Sequence, residues 1–162
     1  MKELLTKYAA YNIWANNLMI DALLQLPVEA IDMPMISSFK SIRETLLHTW
    51  GAENVWLQRL NEVQEQVWIA ATFKGTFEEA CAAWKQDSQK LADYVAGCDD
   101  SKLSNNLHYS DIRKNSHVTP VFMVLQHVFN HATYHRGQLV TLMRTSGAIQ
   151  IPGTDFIGFA RL

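Results

Sequence analysis

Apolar residues recur at every third or fourth position through four separate stretches of this chain, and each stretch is bounded by residues that start or stop helices. That period collects side chains on one face of an α-helix; a half-buried strand alternates every second residue instead. In the first stretch, about residues 3–25, Leu4, Tyr8, Tyr11, Trp14, Ala15, Leu18 and Ala22 share a face and Pro27 closes it. Ser41-Ile42-Arg43-Glu44 is a capping box, and a helix predicted from there to about Val63 carries Ile42, Leu46, Trp50, Leu57 and Leu60 on one side. Thr76-Phe77-Glu78-Glu79 is a second such box. It opens a helix with Phe77, Ala80, Cys81, Trp84, Leu91 and Val95 in its stripe and Gly97 as its stop. Thr119 followed by Pro120 predicts the start of the fourth helix, which runs to Gly147.

Between residues 102 and 118 the pattern shortens to polar and apolar alternation, with Leu107, Tyr109 and Ile112 close to turn-forming residues, and a small β-hairpin is expected there. Four helices of about 20–28 residues without strand–helix alternation predict an all-α, antiparallel four-helix bundle with one or two longer crossovers. The segments 26–40 and 64–75 are long for bundle turns, so they are the expected crossovers and the candidate lips of a cleft. No repeat or linker divides the chain, and residues 1–162 are read as a single domain.

A chain of 162 residues buries a core without help from disulfides or a structural metal, so a metal here is expected to be functional. Apolar residues at 48% and charged residues at 19% fit a globular protein. A formal charge of −2 leaves no broad basic field, which argues against nucleic acid and anionic lipid as partners. The charged, helix-patterned start Met1-Lys2-Glu3-Leu4-Leu5 is unlike a signal peptide, and no apolar run approaches the ~20 residues needed to cross a bilayer. The expected location is cytoplasmic. Cys81 and Cys98 form no CxxC and are read as reduced, Cys81 on a buried helix face.

Of six histidines, His127, His131 and His135 fall at successive four-residue steps of the fourth helix, where two imidazoles can reach one ion from the same side. At ~100° per residue and with His135 at zero, Val121, Val124, Leu125, Val128, Ala132, Leu139 and Leu142 cluster between about −20° and +80°. His135 lies inside that apolar face, His131 on its shoulder at about −40°, and His127 further out at about −80°. His131 and His135 are therefore the inward-facing pair. Zinc-class ions take at least three protein ligands, so a third must come from elsewhere: His48, His108, His117, Glu53 and Asp155 are all available. The helical wheel does not select His48, which lies opposite the Ile42/Leu46/Leu57 stripe. Glu53 lies with that stripe, which calls for a buried partner.

The segment Asn130-His131-Ala-Thr-Tyr-His135-Arg136-Gly137-Gln138 closely resembles the Asn-His-xxx-His-Arg-Gly-Gln signature of the DinB superfamily. Leu46-Leu47-His48 with Ala52-Glu53 resembles that family's His-xxx-Ala-Glu segment, and Tyr11-Asn-Ile-Trp14-Ala15-Asn16 its first-helix motif. The resemblance runs nearly end to end. It implies a DinB/YfiT-like four-helix bundle, often a homodimer, holding one divalent ion of the zinc or nickel class with His48, His131 and His135. It also implies a metal-dependent transferase with a low-molecular-weight thiol as cosubstrate and a small-molecule substrate. The alternatives are a non-catalytic metal or small-molecule binding protein in stress response, and a metal-dependent hydrolase. Glu53 is the candidate general base or acceptor for a histidine N–H, and Arg136 a candidate partner for Glu53. For Asp155 a plain C-terminal turn is expected.

Overall fold

The computed structural model describes residues 1–162. Four long helices carry the fold: α1 (Lys2–Leu23), α3 (Ile42–Leu60), α5 (Phe77–Gly97) and α7 (Val121–Thr145). Short helical turns punctuate the connections, α2 (Val28–Asp32), α4 (Ile69–Thr72), α6 (Asp100–Ser104) and α8 (Phe156–Phe159). The expected hairpin is present as β1 (Asn106–Ser110) paired antiparallel with β2 (Ser116–Pro120), Leu107 opposite Thr119. The Thr76–Glu79 capping box is complete. At the other box Ser41 accepts from the Glu44 amide, but the Glu44 carboxylate reaches back to the amide of Lys40. Thr119 does not cap α7. It belongs to β2, its hydroxyl meets the Tyr109 hydroxyl, and Pro120 stands at the cap position with Val121 as the first helical residue.

α1 and α3 each pack against both α5 and α7 and so sit diagonally across the bundle. Lys2 bonds the Ala96 carbonyl and Lys85 pairs with Asp21, so α1 and α5 run antiparallel. His48 meets His131 and Trp56 meets His127, so α3 and α7 are antiparallel too. By contrast Arg43 lies over Phe77 and Trp50 bonds Asp87, so the neighbours α3 and α5 point the same way. The bundle is therefore not antiparallel throughout. Residues 61–76 must return the chain along the length of a helix, roughly 28 Å, and that is why this connection is long. At Gly51 the returning segment comes close: a Cβ there would stand 3.1 Å from the Ala70 Cβ.

Two apolar clusters fill the interior. One gathers Leu5, Leu57, Leu91, Val95, Leu125 and Phe129, the other Met19, Ile20, Leu46, Trp84, Leu139 and Met143. Between them α1 contributes Asn12 and Asn16, both buried, to a polar layer completed by Glu53, Ser88 and Arg136. This corrects the predicted inner face of α1. Of the predicted face Tyr11 and Ala15 are buried, but Leu4 is 59% exposed, and the other buried residues are Leu5, Ala9, Asn12, Asn16, Met19, Ile20 and Leu23. The aromatic stripe of Tyr8, Tyr11 and Trp14 is covered instead by the C-terminal tail. Phe156 stacks on Tyr8 at 4.9 Å, Phe159 lies against Trp14 at 5.6 Å, and the Tyr11 hydroxyl donates to the Thr154 carbonyl at 2.7 Å. The tail around Asp155 thus folds back on the bundle, where a plain turn was expected. Cys81 and Cys98 are unpaired and buried, and burial pushes the Cys81 thiol up to about 12. No helix is long and apolar enough to cross a membrane.

Candidate metal centre

His131 and His135 stand one turn apart on α7, and the antiparallel packing of α3 on α7 brings His48 opposite them. The Nε2 of His131 lies 3.0 Å from the Nε2 of His135 and 3.3 Å from the Nε2 of His48, and one ligand atom from each residue falls within 4.8 Å of the others. Imidazole nitrogens bound at ~2.0–2.1 Å to one ion stand about 2.9–3.4 Å apart, from octahedral to tetrahedral angles. The two separations from His131 therefore match the spacing a single divalent ion requires, and the third pair of ligand atoms lies within 4.8 Å. His135 is buried, while His48 and His131 keep an exposed edge.

The surroundings keep these rings neutral. Burial, reinforced by His135, pushes His48 down to about 4, and burial with the neighbouring His135, His48 and His127 pushes His131 down to about 3. Burial also lowers His135, against the hydrogen bond to Gln138, which raises it. Neutral imidazole is the form that coordinates a metal. The two crossover segments supply the expected lips: Phe39 stacks on the His48 ring at 4.2 Å, and Trp68 meets it edge-on at 5.8 Å.

The sequence model of the DinB family matches residues 1–162. The chain belongs to the DinB family. It is 26% identical to the protein DinB of Bacillus subtilis (strain 168), a match covering 96% of this chain and 93% of that relative. Its fold is similar to that of a crystal structure of a DinB-like protein from Bacillus cereus ATCC 10987, at a TM-score of 0.69 and 19% identity, covering 89% of this chain and 91% of the other.

Within this DinB bundle the other candidate residues go elsewhere. Glu53 Oε2 accepts from the side-chain amides of Asn12 at 3.1 Å and Asn16 at 3.3 Å and from the Trp84 indole at 3.4 Å, and no histidine nitrogen is among its partners. Burial raises its carboxyl above the usual value, a shift opposed by hydrogen bonds from Ser88, Asn12 and Trp84 and by the charge of Arg136. Arg136 reaches Glu53 through the asparagines: its Nη1 donates to Asn12 Oδ1 at 2.9 Å and to Asn16 Oδ1 at 2.7 Å. His127 lies between His131 and Trp56, outside the ligand group. His108 and His117 are on the hairpin, and His117 pairs with Asp111. Sequence reasoning assigned no role to Gln138, whose Oε1 lies 2.7 Å from His135 Nδ1. Its i,i+3 spacing from a ligand histidine was the available signal.

Proposed function

We propose that this DinB-family protein binds one divalent ion of the zinc or nickel class through His48, His131 and His135 and acts as a metal-dependent transferase with a low-molecular-weight thiol cosubstrate. The observation that carries the metal part is the grouping of the three histidines, with His131 Nε2 at 3.0 Å from His135 Nε2 and 3.3 Å from His48 Nε2 and all three ligand atoms within 4.8 Å of one another. Three neutral protein ligands leave coordination positions free, the arrangement of a reactive rather than a closed structural centre. An ion held there supplies Lewis acidity, lowering the pKa of a thiol that joins it. The chain's own residues hold the imidazoles neutral and aimed, and the exposed edges of His48 and His131 leave an approach for a small molecule. Phe39 and Trp68 offer apolar surface beside that approach. Glu53, turned into the bundle interior, has no part in this reading at the metal.

The test is turnover. Protein loaded with zinc or nickel is mixed with glutathione, cysteine or coenzyme A and the electrophile 1-chloro-2,4-dinitrobenzene, and the S-aryl product is followed. Product formation above the uncatalysed rate is expected for at least one thiol, abolished by chelator and by His135→Ala. Saturable thiol binding without product formation would make the protein a non-catalytic binding module. Metal-dependent hydrolysis of activated esters without thiol consumption would favour the hydrolase.

A further inference from the structure

We propose that Gln138 is a positioning residue of the histidine centre, setting the tautomer of His135 and tying the Ser38–Phe39 segment to it. The proposal rests on the metal reading above. Gln138 Oε1 lies 2.7 Å from His135 Nδ1. An amide oxygen only accepts, so the ring proton resides on Nδ1, and Nε2 turns its lone pair toward the Nε2 of His131. The flipped amide would present an N–H to Nδ1, drive the proton to Nε2 and close that nitrogen to a metal.

The other end of the amide links the histidine centre to the neighbouring crossover segment. Gln138 Nε2 donates to the Ser38 hydroxyl at 3.0 Å and to the Tyr134 hydroxyl at 3.3 Å. Ser38 precedes Phe39, whose ring stacks on His48 at 4.2 Å and lies 5.8 Å from His135. One side chain thus touches a ligand imidazole on one side and, on the other, the segment whose aromatic ring covers a second ligand. Ligand aim and the position of Phe39 depend on the same amide. Gln138 touches neither the ion position nor a substrate, so its effect passes through His135 and Phe39.

The test uses the full chain as wild type, Gln138→Leu, Gln138→Glu and Ser38→Ala, each checked for an unchanged helical spectrum. Long-range proton–nitrogen NMR of the metal-free protein reads the His135 tautomer, and chelator competition reads zinc affinity. Wild type is expected to show the Nδ1–H form. Gln138→Leu is expected to lose that preference and bind zinc about 10–100-fold more weakly. Gln138→Glu, whose carboxylate still accepts from Nδ1–H, is expected to restore both, and Ser38→Ala to fall between. A retained Nδ1–H tautomer in Gln138→Leu, or a zinc affinity within about twofold of wild type, overturns the proposal. If wild type takes up no metal, the metal reading fails by itself, and the tautomer measurement alone decides the role of Gln138.

Discussion

Replacing Arg136 by Met is expected to destabilise the bundle far more than the loss of one side chain's packing. Methionine fills most of the arginine's volume, so the cost is electrostatic. Two acceptors, Asn12 Oδ1 and Asn16 Oδ1, lose their donor in a layer where both asparagines are at most 1% exposed. An unsatisfied buried acceptor costs about 1–3 kcal/mol. The third acceptor, Thr133 Oγ1, belongs to an exposed residue and rehydrates at little cost. Glu53, 2% exposed, loses the cation that opposes its desolvation. Together these give about 3–5 kcal/mol, the range for removing one partner of a buried charge pair. For a chain of this size that is a fall in Tm of roughly 6–20 °C.

The sign of the pH dependence follows from Glu53. Its folded pKa lies above the ordinary 4.5, so the folded state holds the proton more tightly, and stability falls as pH rises through that raised value. Without Arg136 the raised value climbs further, so the deficit of the variant is larger near neutral pH than at about pH 5. Urea unfolding followed by circular dichroism at the two pH values measures both effects. A deficit below about 1 kcal/mol at neutral pH, or one that widens on acidification, would refute the polar-layer argument.

Other outcomes are equally specific. With His48 held near 4 and His131 near 3, the metal-free protein is expected to lose stability as pH falls below 6.5, because the unfolded chain takes up protons that the folded one refuses. Thermal melts with and without bound zinc check this, and an apo-protein equally stable at pH 7 and about pH 5 would contradict it. His127→Ala is expected to keep its metal, since His127 stands outside the ligand group, and elemental analysis of the purified variant reads this directly. Phe156→Ala, which uncovers Tyr8 and Tyr11, is expected to cost about 1–3 kcal/mol in urea unfolding and to speed proteolysis of the tail. Gly51→Val, whose added Cβ meets Ala70 at 3.1 Å, is expected to displace the segment carrying Trp68 and change tryptophan fluorescence.

The long helices were legible because their apolar periods and caps are local: Ile42, Leu46, Trp50, Leu57 and Leu60 are all buried as the spacing requires, and so are the predicted stripes of α5 and α7. On α1 the period places Tyr11 and Ala15 inside but misses the rest of the buried face, because a polar layer crosses it. Asn12 and Asn16 face inward to serve Arg136 and Glu53, residues distant in sequence, and a hydrophobic pattern reads them as solvent-facing. His48 shows the same limit. It lies off its own helix's apolar stripe because it faces α7 at the edge of the bundle, and the family motif, not the wheel, selected it. Glu53 was rightly read as needing a buried partner, but the partners lie on α1 and α5 rather than at the histidines. The direction of α3 relative to α5 could not be read either, since period and caps carry no information about which end a crossover returns to.

The most direct measurement is metal content per chain by plasma mass spectrometry, comparing untagged wild type with His135→Ala, both purified without chelator or added metal. About one equivalent of zinc, nickel or a similar divalent ion is expected in wild type, and its loss in the variant. Wild-type protein without bound metal, even after reconstitution with several divalent ions, would contradict the central claim and leave three histidines that serve the bundle alone.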